Sequence, residues 1–259
     1  MRVYICTDLE GVCGVFRWEQ AGDYDSPPNL EARRLLMGEV NAAVAGAFDA
    51  GATRVVVRDG HDGAKSFLLE ELDERAEAVM GAVPRPDAVI SQGFDAAILL
   101  GYHAMSHTAN AVLCHTQSSA TWNNYWIDGR PAGEIAQSAI VLGAHDVPVV
   151  MVTGDDKTCA EAREWLGAGI ETVEVKQGLT REGALMLAPK RARALIREAA
   201  GRALARASTI PPLKPAFPLT VRWQYKDSGI VDRYRGDGKA VDAYTIEKAV
   251  HEAGEIYAP

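Results

Sequence analysis

The sequence predicts an α/β fold: a mostly parallel sheet flanked by helices, with a smaller C-terminal α+β part. Short apolar runs alternate with longer segments of helical period, the pattern of strands joined by crossover helices. The chain has 259 residues, 47% hydrophobic and 24% charged, which suits a globular chain able to bury a sizeable core. Dense prolines from Ile210 to Pro218 disfavour both helix and central strand, and set the last segment apart.

Val3–Thr7 reads as the first strand. A helix fits Leu30–Ala50, because Leu35, Leu36, Glu39, Val40, Ala43, Val44 and Ala47 fall on one stripe and Gly51 closes it. Strands follow at Arg54–Val57, at a short run near Ala78–Met80, and at Ala96–Leu100. Asn123–Ile127 has strand propensity and runs into the turn dipeptide Asp128-Gly129, so a local antiparallel element is expected. Helix Gly133–Ala144, strand Val147–Val152, helix Asp156–Leu166 and strand Glu171–Val175 continue the alternation. Pro189–Ala207, rich in Arg and Ala, reads as a solvated amphipathic helix. After the prolines come a strand, Leu219–Tyr225, and a final helix, Ala240–Ala253. The organisation expected is a core over residues 1–178 and a C-terminal subdomain over 179–259.

With 27 basic against 35 acidic residues the net charge is −8, which argues against a nucleic-acid footprint. No uncharged apolar stretch reaches the roughly 18 residues of a membrane span. The N-terminal run is broken by Asp8 and Glu10 and does not read as an export signal. Cys6, Cys13, Cys114 and Cys159 show no paired spacing, so neither disulfides nor a thiolate zinc knuckle is signalled. A cytoplasmic location is expected.

Asp8 and Glu10 end the first strand, and the period of two turns both carboxylates the same way. Ligand sites of open α/β sheets lie at such carboxyl ends. His61 and His103 each lie just beyond another apolar strand and should face the same crevice. Any one of these residues alone has a bland reading as a loop residue. Together they reverse it. Glu134 opens a helix, where its ordinary role is favourable charge at the N-terminus, yet in this company it becomes a fifth candidate ligand. Three carboxylates in one crevice raise one another's pKa, and divalent cations relieve that repulsion. Imidazole and carboxylate without thiolate suit zinc, with manganese or cobalt as alternatives. His115, among Thr116, Gln117, Ser118 and Ser119, could act as a base, an acid or an electrostatic stabiliser. His107 and His145 read as surface, and Cys114 as packing. Asp155 suits a helix N-cap. Asp59 could orient a ligand histidine. Trp122, Tyr125 and Trp126 read as core or subunit contact.

DLEG with Asp8 and Glu10, DGH with His61, GYH with His103, CH with His115, RPAGE with Glu134, GDD at Asp155 and VKQ at Lys176 occur in an order that resembles the bacterial D-aminopeptidase family associated with dipeptide-transport operons. The resemblance is clear over Val3–Gln177, and no motif matches from Leu179 onward. It implies a cytoplasmic aminopeptidase with two divalent metal ions, zinc, acting on short peptides with D-residues first. It further implies a ring-like homo-oligomer, a decamer being one form; charge and hydropathy, separately, point to no nucleic-acid or membrane partner. Asp8 would bridge the metals, with Glu10, His61, His103 and Glu134 as the other ligands. His115 matches the position proposed as the family's nucleophile. A base or stabiliser suits it better, because metal-activated water is already a competent nucleophile.

Two other readings stand beside this one. A haloacid dehalogenase-like phosphohydrolase would use Asp8 as nucleophile, but would leave His61, His103 and Glu134 unemployed. A non-catalytic metal-binding assembly protein would need closed metal sites, whereas five ligands shared by two metals leave open positions.

Overall fold

The computed structural model of the chain describes residues 1–83 and 88–257. In chain order its elements are β1 (Arg2–Thr7), α1 (Trp18–Gly22), α2 (Pro27–Asp49), β2 (Arg54–Asp59), β3 (Ala76–Val79), β4 (Ala96–Leu100), β5 (Trp122–Ile127), β6 (Arg130–Pro131), α3 (Glu134–Ala144), β7 (Val149–Asp155), α4 (Asp156–Leu166), β8 (Glu171–Thr180), β9 (Gly183–Met186), α5 (Pro189–Ala205), β10 (Leu219–Tyr225), α6 (Ser228–Arg233), β11 (Lys239–Ala240) and β12 (Thr245–Val250).

The main sheet has seven strands in the order β3-β2-β1-β4-β7-β8-β9, parallel except for β9. β1 lies between β2 and β4, with Ile5 facing Val57 on one side and Ile98 on the other. The chain adds β2 and β3 on one flank of β1, then crosses to add β4 on the other. That reversal is the topological switch point, where an open parallel sheet leaves a crevice beyond its carboxyl ends. α2 packs on α5, and α3 on α4, so Val3, Ile5, Val55, Val57, Ile98 and Leu100 are fully buried. This explains the near-continuous apolar character of these strands. Truncating Ile98 to Ala would cost roughly 2–5 kcal/mol.

A second, antiparallel sheet has the order β11-β12-β10-β5-β6. The β5–β6 hairpin turns at Asp128 and Gly129 (φ +49° and +78°), as the dipeptide predicts. The hairpin is thereby joined to strands some ninety residues later, while β9 and α5 belong with the main sheet.

The predicted final helix is incorrect. Thr245–Val250 forms β12, paired with β10 from Gln224↔Thr245 to Leu219↔Val250. Ile246 and Val250 are four apart and mimic a helical stripe, but β-branched Thr245, Ile246 and Val250 suit a pleated surface, and β10 offers an open edge. β7 and β8 also run beyond the predicted Val152 and Val175. β9, α1 and α6 are short elements that the periodicity does not reveal.

Candidate metal centre

The candidate ligands are delivered by the ends of three main-sheet strands and by the start of one helix. Asp8 and Glu10 follow β1, His61 follows β2, His103 follows β4 and Glu134 opens α3. The β1 and β4 ends stay joined beyond the strands, where Asp8 N donates to Leu100 O and Gly11 N to Gly101 O, both at 2.8 Å. A Cβ at position 11 would lie 1.8 Å from the Tyr102 carbonyl oxygen, and Gly101 has φ +71°. Only glycines permit this approach, which brings Glu10 beside His103.

The carboxylate of Asp8 turns Oδ1 toward His61 Nδ1 at 3.0 Å and Oδ2 toward His103 Nε2 at 3.3 Å. Glu10 Oε2 lies 3.1 Å from His61 Nδ1. Glu134 Oε1 lies 3.3 Å from His103 Nε2 and 4.0 Å from His115 Nε2. His103 and His115 stack with ring centroids 3.9 Å apart. Donor atoms of Asp8, Glu10 and His103 lie within 4.8 Å of one another, as do those of His103, His115 and Glu134. All six predicted residues therefore line one cleft of about 430 Å³. A larger groove of about 830 Å³ between α2 and α5 is lined by residues such as Gly38, Ala42 and Gly46 and contains no imidazole, so the chemistry belongs to the smaller cleft.

Main-chain carbonyls fix all three imidazoles. His61 Nε2 donates to Ala21 O at 2.9 Å, His103 Nδ1 to Ala104 O at 2.9 Å, and His115 Nδ1 to Leu113 O at 2.8 Å. The other nitrogen of each ring thus faces the cleft and presents a lone pair there once the ring is neutral. Asp59 plays a different part from the one its position suggests. It accepts from the backbone N–H of His61 and of Ser66, so it shapes the loop and does not touch the ring.

Burial pushes Asp8 up to about 7, helped by the adjacent charge of Glu10. Burial acts the same way on Glu10 and Glu134, but the facing histidines outweigh it and hold both below the ordinary carboxylate range. For His61 and His103 burial favours the neutral ring, yet the surrounding carboxylates raise both well above the usual imidazole value. His115 moves the other way, lowered by burial and by the charge of His103.

The centre fits a divalent metal. Glu10 Oε2 and His103 Nε2 are buried without a hydrogen-bond partner. A tetrahedral zinc with bonds of 2.0–2.1 Å sets its donors about 3.3 Å apart, close to the 3.0–3.3 Å separations here.

Three supporting residues lie outside the predicted set of ligands. Trp18, on α1, sets its edge against His115 at 5.4 Å. Lys176, buried on β8, donates to Glu10 O at 2.5 Å, Val12 O at 3.0 Å and Val15 O at 2.6 Å. Glu39, buried on α2, accepts from Cys13 N at 2.9 Å. The last two clamp the Glu10–Val15 loop from both sides. The sequence signal for Lys176 is its place in the VKQ motif, a cation next to the apolar Val175 in a strand. Leu113 and Gln117 flank His115 at φ +50° and +59°, a conformation that costs energy for residues other than glycine. Gln117 N donates to Glu134 Oε1 at 2.8 Å, which holds that bend. Of the remaining residues, His107 is exposed and Asp155 caps α4 through Thr158 N. Tyr125 is buried, as expected, with its hydroxyl on Ile256 O.

Two imidazoles and three carboxylates, gathered at the switch point of a parallel sheet with a further histidine beside them, define a metal-dependent hydrolase. Phosphoryl transfer would leave the histidines and Glu134 without work. A family model described as D-aminopeptidase matches residues 1–258, and the chain belongs to that family. It is 33% identical over 219 residues to a D-aminopeptidase of Bacillus subtilis (strain 168), covering 83% of this chain and 78% of the relative. It also superimposes on the structure of the Zn-dependent D-aminopeptidase DppA from Bacillus subtilis, described as a self-compartmentalizing protease, with a TM-score of 0.91 and 28% identity over 99% of this chain and 94% of that one.

Proposed function

We infer that the chain is a binuclear zinc aminopeptidase that releases a D-residue from the free amino end of short peptides. The observation that carries the two-metal reading is Asp8, whose oxygens face two different histidines. Glu10 and His61 would hold one ion, His103 and Glu134 the other, with Asp8 shared. Zinc bound there supplies Lewis acidity, which lowers the pKa of water and polarises a scissile carbonyl.

The protein's own groups manage orientation and protons. His115, kept neutral by burial and by the neighbouring imidazole, can take a proton at Nε2 and return it to the leaving amine. The Leu113 carbonyl prevents the ring from turning. Glu134 is fixed by the Gln117 N–H, and Trp18 packs against the His115 ring.

The D-residue preference is supported by the description shared by the family and by both relatives. Self-compartmentalization of the structural neighbour supports a closed, ring-like homo-oligomer, which we take to be a decamer. Among the described residues no helix is long and apolar enough to cross a membrane, and we place the enzyme in the cytoplasm.

The test is elemental analysis of purified protein together with hydrolysis of free-amine dipeptides bearing D- or L-residues first, with and without zinc. About two zinc ions per chain and cleavage of the D-first peptides are expected. Full activity in chelator, or cleavage of phosphate esters in place of peptides, would overturn the reading.

A further inference from the structure

We propose that Arg181 and Lys226 form a subsite for the C-terminal carboxylate of the substrate, restricting the enzyme to very short peptides with a free carboxyl end. The inference rests on the aminopeptidase reading above and adds a specificity element to it.

A side cleft of about 240 Å³ shares His115 with the metal cleft and is lined by Trp122, Asn123, Arg181 and Lys226. Arg181 sits on the turn between β8 and β9, and Lys226 directly follows β10. Both are exposed. The guanidinium of Arg181 lies 5.1 Å from the Trp18 ring centroid, and its Nη2 makes one long hydrogen bond, 3.4 Å, to Cys114 O. Lys226 Nζ donates to Ser119 O at 2.5 Å. Among the described residues neither cation faces a carboxylate. An arginine carries five N–H donors and a lysine three, so most of this donor capacity is left for water or for a ligand in the cleft.

In a chain of net charge −8, two basic groups left without acidic partners beside a centre of three carboxylates require a reason. A dipeptide supplies one. Its amine and scissile carbonyl belong at the metal centre, which leaves the peptide's own carboxylate to be held elsewhere. Cations on the far side of His115 give that charge a place, and a guanidinium fork matches a carboxylate in shape. The contacts from His115 to Trp18, 5.4 Å, and from Trp18 to Arg181, 5.1 Å, set an upper limit on the distance between the chemistry and the fork. An extended chain spans about 3.3–3.6 Å per residue, so no more than about three residues fit between them.

The experiment compares a dipeptide of D-residues as the free acid and as its C-terminal amide, on the zinc-loaded enzyme. The wild type should prefer the acid by roughly 50-fold or more in kcat/KM, mainly through KM, and Arg181→Ala or Lys226→Ala should each reduce that preference about tenfold. The double variant should show a ratio near one, and Arg181→Lys should restore part of it. Lys226→Gln, which keeps a donor for Ser119, separates charge from loop support and should behave like Lys226→Ala. Equal cleavage of acid and amide by the wild type would overturn the subsite while leaving the aminopeptidase reading intact. So would variants that slow both substrates alike, which marks a loop-holding role. If the zinc-loaded wild type cleaves neither peptide, the aminopeptidase reading itself fails and takes the subsite with it.

Discussion

Loading of the metal centre should release protons, and the structure sets how many. His61 and His103 are held protonated at neutral pH by the carboxylates around them, and Asp8 titrates near 7. A metal needs neutral imidazole and ionised carboxylate, so it must displace about two to three protons per chain at pH 7. The affinity should therefore fall on acidification by roughly 3 to 4 kcal/mol per chain for each pH unit near neutrality. The dependence should flatten at alkaline pH, once those protons have already left. Calorimetric zinc titrations in two buffers of different ionisation enthalpy count the protons directly. His61→Gln should lower the count by about one. A release of less than one proton per chain in the wild type would refute the electrostatic account of the site.

Asp8→Asn removes a shared charge, and elemental analysis should show metal content falling from about two ions per chain to one or none. His115→Ala should lower kcat by about 100-fold or more with metal content unchanged; an undiminished rate would remove this side chain from proton transfer. Lys176→Met leaves three buried carbonyls of the Glu10–Val15 loop without their donor. It should weaken zinc binding at least tenfold by competition with a chelator. Glu39 is pushed by burial up to about 7, so the folded state keeps a proton that the unfolded chain has lost, and stability falls as pH rises from about 4.5 to 7. Glu39→Gln removes that penalty, and urea unfolding at about pH 8 should show a gain of up to roughly 3 kcal/mol over the wild type, shrinking at about pH 4.5.

The parallel core was legible in the sequence because strands buried on both faces must be apolar throughout, as Val55–Val57 and Ile98–Leu100 are. The position of the site was legible for the same reason: polar residues placed just past such runs have the carboxyl-end crevice as their common exit. What eluded the pattern has specific causes. β12 carries apolar residues four apart and declares itself a strand only against β10. α1 spans five residues, too few to show a period, yet it carries Trp18 and lends the Ala21 carbonyl to His61. Asp59 lies two residues from His61, and sequence adjacency suggested a contact with the ring. The loop instead turns this carboxylate onto backbone amides. Arg181 and Lys226 approach the same loop from different sheets, a meeting that no local spacing encodes.

The three carbonyls of Ala21, Ala104 and Leu113 mean that readiness to bind is written into the path of the main chain. Exchanging the side chains of Ala21, Ala104 or Leu113, whose carbonyls alone hold the rings, would leave the rings aimed as they are. Adding or removing a single residue in any of those three bends would rotate a ring out of line. Apart from the close approach at Gly11 and Gly101 and the clamp of Lys176, the centre thus bears substitution better than changes of loop length, and directed evolution of this enzyme should proceed by replacement within bends of fixed size.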